Sequence, residues 1–304
     1  MQIKTIEKQL KAKLEEWLET ITNEDLRKDV KKNLLVSGGS VCSMLLNEAV
    51  NDYDVYLMDR SVLKRLVIYY SRTFKEIVIL DGKDKKNLES QLGIPDELGE
   101  DWLTSFLISV RNLKEDQIKL YFKGGLGSLK VNIDKKPEEL NYSPVFFSPN
   151  AISLSNNLQI VIRFWGTPEE VHKTFDFIHA TNYFTFETGL VRNLPAVESI
   201  LTKQLRYQGS QYPLTSIIRA KKFIKRGFNI SAGEYLKIMF QISQLDLNDP
   251  EVLEEQLIGV DIAYFGTIIT ALRNKYESTP DFQLSSDYLT VLVDRIFNED
   301  TDLV

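Results

Sequence analysis

Residues 34–57 read LLVSGGSVCSMLLNEAVNDYDVYL, and the residue types in this stretch suit chemistry on a metal-bound triphosphate. Gly38 and Gly39 permit a tight turn and close backbone approach. Ser40 then stands at the start of a short helix, where free N–H groups and the helix dipole attract phosphate. About a dozen residues later, Asp52 and Asp54 enter a strand, so alternation puts both carboxylates on one face and Tyr53 on the other. Two neighbouring carboxylates repel each other unless a cation lies between them. Mg²⁺ (or Mn²⁺) is the expected ion, since Mg²⁺ takes one or two carboxylates and completes its shell with substrate phosphates. A Gly-Gly-Ser turn alone is a common helix cap, and an isolated Asp-x-Asp often ends a solvated strand. The functional reading rests on their order: corner, short helix, acid pair, apolar strand.

The elements that must position these residues follow from periodicity. Ile6, Leu10, Leu14 and Trp17 recur at helical spacing, which predicts an amphipathic helix over 5–20, and NEDLRKDVKKN a second, charged one over 23–33. LLVSGG reads as a short apolar strand ending in the corner, 41–49 as a helix, DVYLM as a strand, and SVLKRLVIYYSRTF as a helix on its far side. EIVIL, 76–80, is a strand by its β-branched content. DWLTSFLISVRNL, 101–113, is helical, and QIKLYFKGGLGSLKVNI is expected to be a hairpin turning at Gly124 and Gly125. LQIVIRFW is a buried strand. TPEEVHKTF is a short helix with Thr167 as N-cap and Pro168 in the first turn, and DFIHATNYFTF is read as the next strand. Beyond about residue 195 the segments suit helices, with Gly227 a helix stop. The expected architecture is therefore α+β, a mixed sheet flanked by helices over 1–194 followed by an all-helical domain over 195–304.

Composition narrows the function classes. The 304 residues include one cysteine, Cys42, and two histidines, so an internal disulfide is excluded and a His/Cys zinc site is nearly so. Cys42 is expected as a buried apolar filler, and His172 and His179 are given no ligand role. The net charge of −6 argues against broad binding of duplex DNA, which rests on neutralising many phosphates. No run approaches the ~20 apolar residues of a membrane span, and the charged amino terminus is unlike a signal peptide. A cytoplasmic protein with no membrane partner is expected. Against that acidic balance, Lys203, Arg206, Arg219, Lys221, Lys222, Lys225 and Arg226 form a basic run with no acid among them. Arg219, Lys222 and Arg226 share a helix face. They suit either a solvated surface or a cationic wall that closes a nucleotide cleft or guides a polyanionic acceptor.

On Gly38, Gly39 and Ser40, followed by Asp52 and Asp54 in NDYDVYL, the sequence resembles the DNA polymerase beta-type nucleotidyltransferase superfamily. The runs LQIVIRFWGTPEEVHKTFDFIHATNYF and YPLTSIIRAKKFIKRGFNISAGEYLK also resemble nucleotidyltransferase-like proteins of large DNA phages and other large viruses. The resemblance implies a nucleotidyltransferase-type sheet whose corner binds the triphosphate of an NTP and whose acid pair binds two divalent metals. It implies in-line attack by an acceptor hydroxyl on the α-phosphate, with an RNA 3′ end favoured slightly over a protein or small molecule because of the basic run. For a phage-encoded protein it implies work in the host cytoplasm. Such a site normally has a third metal-binding carboxylate on a neighbouring strand. Here LQIVIRF offers Gln159 and no acid, so the first candidate is Asp176 in FDF, with Asp134 and Asp81 as alternatives. If none reaches the site, the same residues suit a catalytically reduced protein that binds a nucleotide or a protein partner, or a viral structural protein with a residual acid pair.

Overall fold

The computed structural model describes residues 2–91, 101–123, 128–131 and 141–247, with single positions at 249, 252, 256, 287, 288, 290 and 291. Two helices, α1 (Ile3–Glu19) and α2 (Glu24–Asn33), lead into β1 (Leu34–Ser37), then α3 (Gly39–Leu46), β2 (Tyr53–Leu57), α4 (Arg60–Ser71) and β3 (Ile77–Asp81). Next come α5 (Lys85–Gln91), α6 (Asp101–Arg111), β4 (Ile118–Phe122), β5 (Leu129–Lys130), β6 (Pro144–Phe147), β7 (Ala151–Leu154) and β8 (Leu158–Val161). The short helix α7 (Pro168–His172), β9 (Tyr183–Thr185), β10 (Gly189–Val191) and α8 (Leu194–Thr202) follow. The chain then runs through β11 (Gln204–Leu205), α9 (Pro213–Lys225), β12 (Asn229–Ile230) and α10 (Ala232–Ile242).

The chain divides into two compact units, one formed by Met1–Phe175 with His179–Leu201, the other by Asp176–Ile178 with Thr202–Val304. The first is built on an eight-stranded sheet in the order β10-β9-β1-β2-β8-β7-β6-β5. The sheet is mixed, because β2 and β8 run parallel while β1 and β2, and β7 and β8, run antiparallel. This is the α+β class with a helix-flanked mixed sheet that the sequence predicts.

One face of the sheet carries the main core. The α1 stripe of Ile6, Leu10, Leu14 and Trp17 is wholly buried there with Leu34, Val36, Val55 and Leu57, and with Leu63 and Val67 of α4. Trp17 Nε1 donates to Tyr70 Oη at 2.9 Å, satisfying a polar atom in the interior and joining α1 to α4. The opposite face holds Leu35 and Tyr56 against Val171 of α7, with Phe175 and Tyr183 around them. Strand alternation therefore sends Tyr53 toward the main core and Asp54 toward the α7 side. Among the described residues, no helix is long and apolar enough to cross a membrane.

Two expectations are corrected. Among the described residues, the two arms of the hairpin predicted over 117–133 do not pair with each other. Instead β4 pairs with β3 in a separate two-stranded sheet, and β5 pairs with β6 at the edge of the large one. The alternation of Ile118, Leu120 and Phe122 is real, since all three are buried, but those side chains enter the main core from beside β3. The turn glycines Gly124 and Gly125, like Asp134, lie outside the described residues. The strand expected from Asp176 starts only at Tyr183: Asp176 occupies a bend and Ile178–Ala180 a 3-10 turn. Residues 176–178 instead attach to the second unit, where Phe177 bridges Tyr207, Gln208 N donates to the Asp176 carbonyl and Ile178 N to the Arg206 carbonyl. In that unit α9 and α10 pack together, and β11 and β12 add a short parallel pair.

Candidate nucleotide and metal site

β1 ends at Ser37 and the chain turns at Gly38 with φ 93° and ψ −146°, a region open in practice to glycine alone. Gly38 N donates to the Ala180 carbonyl at 3.0 Å, and α3 begins at the next residue. The first-turn N–H groups of α3 have no carbonyl partners within the helix. Ser40 is 2% exposed, and its hydroxyl has no hydrogen-bond partner among the described residues. A buried, unsatisfied hydroxyl costs about 1–3 kcal/mol, so this group is suited to take a ligand oxygen.

The acid pair stands beside this corner. Asp52 is exposed just before β2, and Asp54 is the partly buried second residue of the strand. The antiparallel register pairs Val36 with Val55, which brings Ser37 alongside Asp54. A Cβ built on Gly38 would lie 3.5 Å from Asp54 Oδ2. On the other side, β8 runs parallel to β2 with Gln159 in register with Asp54, and Gln159 Nε2 donates to Ser153 Oγ at 3.3 Å. Among the described residues, no group of three or more His, Cys, Asp or Glu side chains is gathered as a metal site. Two carboxylates at a corner with an unsatisfied hydroxyl fit a hard cation that shares its shell with phosphate oxygens and water. Among the described residues, the donor set for a cation held by protein alone is missing.

Two of the other predicted acids, Asp176 and Asp81, have partners of their own. Asp176, expected as the third carboxylate, belongs to the second unit, where its Oδ1 accepts from Ser210 Oγ and its Oδ2 from Arg219 Nη1, both at 2.7 Å. Both of its oxygens are thus spent on folding that unit, because a buried carboxylate needs such partners. Asp81 caps the end of β3 and is ion-paired to Arg60 and Lys64. Burial alone would raise its pKa, but the Arg60, Lys64 and Lys83 N–H hydrogen bonds outweigh that and hold it at about 2. Asp81 is therefore a structural ion-pair member.

The basic run also divides. Arg219 is committed to Asp176, while Lys221, Lys222 and Lys225 are exposed on α9. Arg226 ends the helix with its guanidinium 5.8 Å from the Phe223 ring centroid. Cys42 is fully buried in α3, as its apolar-filler reading expects.

Sequence reasoning singled out no role for Ser37 and gave His172 no ligand role. Ser37 Oγ is fully buried and lies 2.9 Å from His172 Nε2, at the last residue before the corner. Because 135 residues separate them, no local pattern links the two.

Comparison with known proteins finds a similar protein in a phage. It is 24% identical over 157 residues to the Gabija anti-defense 2 protein of Bacillus phage SPbetaL7, an overlap of 48% of this chain and 39% of that protein. The chain thus spans well under half of that relative's length. Among solved structures, a tRNA-processing enzyme with CTP is 14% identical with a TM-score of 0.38, covering 87% of this chain and 60% of its own. The Bacillus stearothermophilus CCA-adding enzyme in complex with CTP is 11% identical with a TM-score of 0.36, covering 84% and 51%. The model of the Gabija anti-defense 2 family matches residues 8–203, most of the chain, and the protein belongs to that family.

Proposed function

We propose that this protein binds a nucleoside triphosphate with Mg²⁺ or Mn²⁺ and transfers its nucleotidyl group to an acceptor hydroxyl. The observation that supports the reading is the meeting of Gly38 with the Asp54 carboxylate, close in sequence to Ser40, whose hydroxyl has no hydrogen-bond partner among the described residues. The first-turn N–H groups of α3, from Gly39 onward, and Ser40 Oγ bind triphosphate oxygens, and Gly38 leaves room for their approach. Asp52 and Asp54 hold the cation, which when bound neutralises charge on the phosphates. The acceptor oxygen bonds to the α-phosphorus, the bond to the bridging oxygen breaks, pyrophosphate leaves, and the hydroxyl proton passes to solvent.

The exposed lysines of α9 favour an RNA 3′ end as acceptor, since a chain of phosphates needs several cations. The relative's name, Gabija anti-defense 2, points to action against that defence, which makes a protein component of the defence the alternative acceptor. The test is incubation of the protein with each α-labelled NTP, Mg²⁺ or Mn²⁺, and host RNA and protein. Label on a macromolecule, lost in Asp54→Asn, supports the reading; absence of both transfer and NTP binding refutes it.

A second reading is favoured by Gln159, which stands where a third acid beside Asp54 would be. In that reading the protein is catalytically reduced and binds a nucleotide or a protein partner. Metal-dependent NTP binding without transfer to any acceptor distinguishes it.

A further inference from the structure

The strand that ends in the corner is held by a contact the nucleotide reading does not use. Ser37 Oγ lies 2.9 Å from His172 Nε2, 2.9 Å from the Asn182 carbonyl and 3.3 Å from the Ala180 carbonyl. A hydroxyl has one proton and a carbonyl can only accept. With that proton directed at the nearer carbonyl, that of Asn182, the imidazole must bring its own. The bonds then run in one direction, from His172 Nε2–H to Ser37 Oγ and from Ser37 Oγ–H to the Asn182 carbonyl.

Both ends of this chain are fixed. His172 is the last residue of α7, whose start is locked by a reciprocal cap: Thr167 Oγ1 accepts from Glu170 N, and Glu170 Oε2 accepts from Thr167 N. The imidazole packs against the rings of Phe175 and Tyr183, at 5.3 and 5.6 Å between centroids. Burial pushes its pKa down to about 4 although the nearby Glu169 charge pulls the other way, so the ring is neutral at physiological pH. Asn182 is fully buried; its Oδ1 accepts from Asn193 N at 3.1 Å, and Asn193 Nδ2 donates to Thr181 Oγ1 at 2.8 Å. Between these ends, the Ala180 carbonyl takes the Gly38 N–H.

We propose that His172 is a positioning residue which, as the Nε2–H tautomer acting through Ser37, holds Gly38 against Asp54 and so shapes the corner before any triphosphate arrives. This rests on the nucleotide reading of the corner. His172 itself touches no nucleotide in that reading. An inert filler at 172 would be replaceable by leucine, whereas a donor is replaceable only by a side chain that brings an N–H, such as the glutamine carboxamide.

The experiment uses the full chain. Nitrogen-15 NMR of the histidines reads the tautomer directly: Nε2–H is expected, and Nδ1–H with bare Nε2 overturns the proposal. Amide exchange at Gly38–Ser40, binding of each Mg-NTP, and KM and kcat for transfer are then compared in wild type, His172→Leu, His172→Gln and Ser37→Ala. His172→Leu is expected to speed exchange at the corner by about tenfold and raise the NTP Kd and KM by about fivefold while kcat stays within about twofold. His172→Gln should restore all of these. Wild-type exchange and Kd in a folded His172→Leu, or failure of glutamine to rescue, overturns the proposal. Should the leucine variant not fold, Ser37→Ala removes the middle link and must loosen the corner by itself. If wild type binds no NTP, the nucleotide reading fails, and the tautomer and amide exchange still decide whether His172 holds the corner.

Discussion

The Asp54 carboxylate and the Cα of Gly38 approach so closely that a methyl group on Gly38 would lie 3.5 Å from Asp54 Oδ2. The corner between β1 and α3 and the acid at the head of β2 are therefore one site, formed where two antiparallel neighbours end. Its two properties, a backbone conformation reserved for glycine and a negative group facing it, are separable by substitution.

Gly38→Ala forces a side chain into φ 93°, and the expected cost is about 1–3 kcal/mol of stability. Gly39 is helical, and a Cβ there meets nothing within 4 Å, so Gly39→Ala should be neutral or stabilise by up to about 1 kcal/mol. Urea unfolding of the two variants checks the contrast. Equal destabilisation would mean that the corner is not strained at Gly38.

Asp52→Asn and Asp54→Asn should each leave stability within about 0.5 kcal/mol of wild type, since neither side chain is in the core. Both should lose NTP-dependent Mn²⁺ binding and transfer by about a hundredfold or more. Calorimetry of Mn²⁺ with NTP, beside thermal melting, separates loss of the site from loss of the fold. Retained transfer in the double variant would remove both residues from the site.

Asp176→Asn should act differently from the acid pair. It leaves Arg219 without its carboxylate partner and weakens the Ser210 link, so a loss of about 1–3 kcal/mol is expected in unfolding experiments. Unchanged stability together with lost transfer would return Asp176 to the catalytic role that the sequence suggested for it.

The contrast between these aspartates marks what a sequence discloses. The helix stripe from Ile6 to Trp17, the corner and the Asp52, Asp54 pair are all local patterns, with spacings of a few residues that fix a shared face before any tertiary fold is known. The partners of Asp176 lie 34 and 43 residues away, and those of Ser37 lie 135 to 145 residues away. Such pairings are decided by packing and leave no periodic trace. The strand at 118–122 was visible for the same reason the stripe was, yet its partner was not, because alternation fixes a face and says nothing about which edge it meets.

Acid should destabilise the protein in two stages. His172 has a folded-state pKa of about 4 against an ordinary 6.5. Above pH 6.5 it is neutral in both states; as pH falls toward 4 only the unfolded chain takes up the proton, so stability drops by about 2 kcal/mol once partial solvent access is allowed for. Asp81, held at about 2 against 3.8, repeats this between pH 3.8 and 2, where the unfolded chain is protonated first, for a further loss of about 2 kcal/mol. Urea midpoints at pH 7.5, 4.5 and 2.5 follow both stages. His172→Gln should flatten the upper one and leave the lower unchanged, and a full upper slope in that variant would assign it to another group.

Under the proposed function, Gln159→Asp offers the sharpest separation of nucleotidyl transfer from nucleotide binding alone. Gln159 stands in parallel register beside Asp54, and neighbouring strands are about 4.8 Å apart, so an aspartate there faces the Asp54 carboxylate directly. Without a cation the two repel, and a loss of about 1 kcal/mol is expected. With Mn²⁺ present that loss should reverse, and the ion should bind about tenfold more tightly, because a third carboxylate joins the set. Gln159→Leu should alter neither property. Transfer activity that appears only in Gln159→Asp would identify the natural chain as a nucleotide binder. Transfer already present in wild type, and changed only modestly by the extra acid, would show that Asp52 and Asp54 suffice.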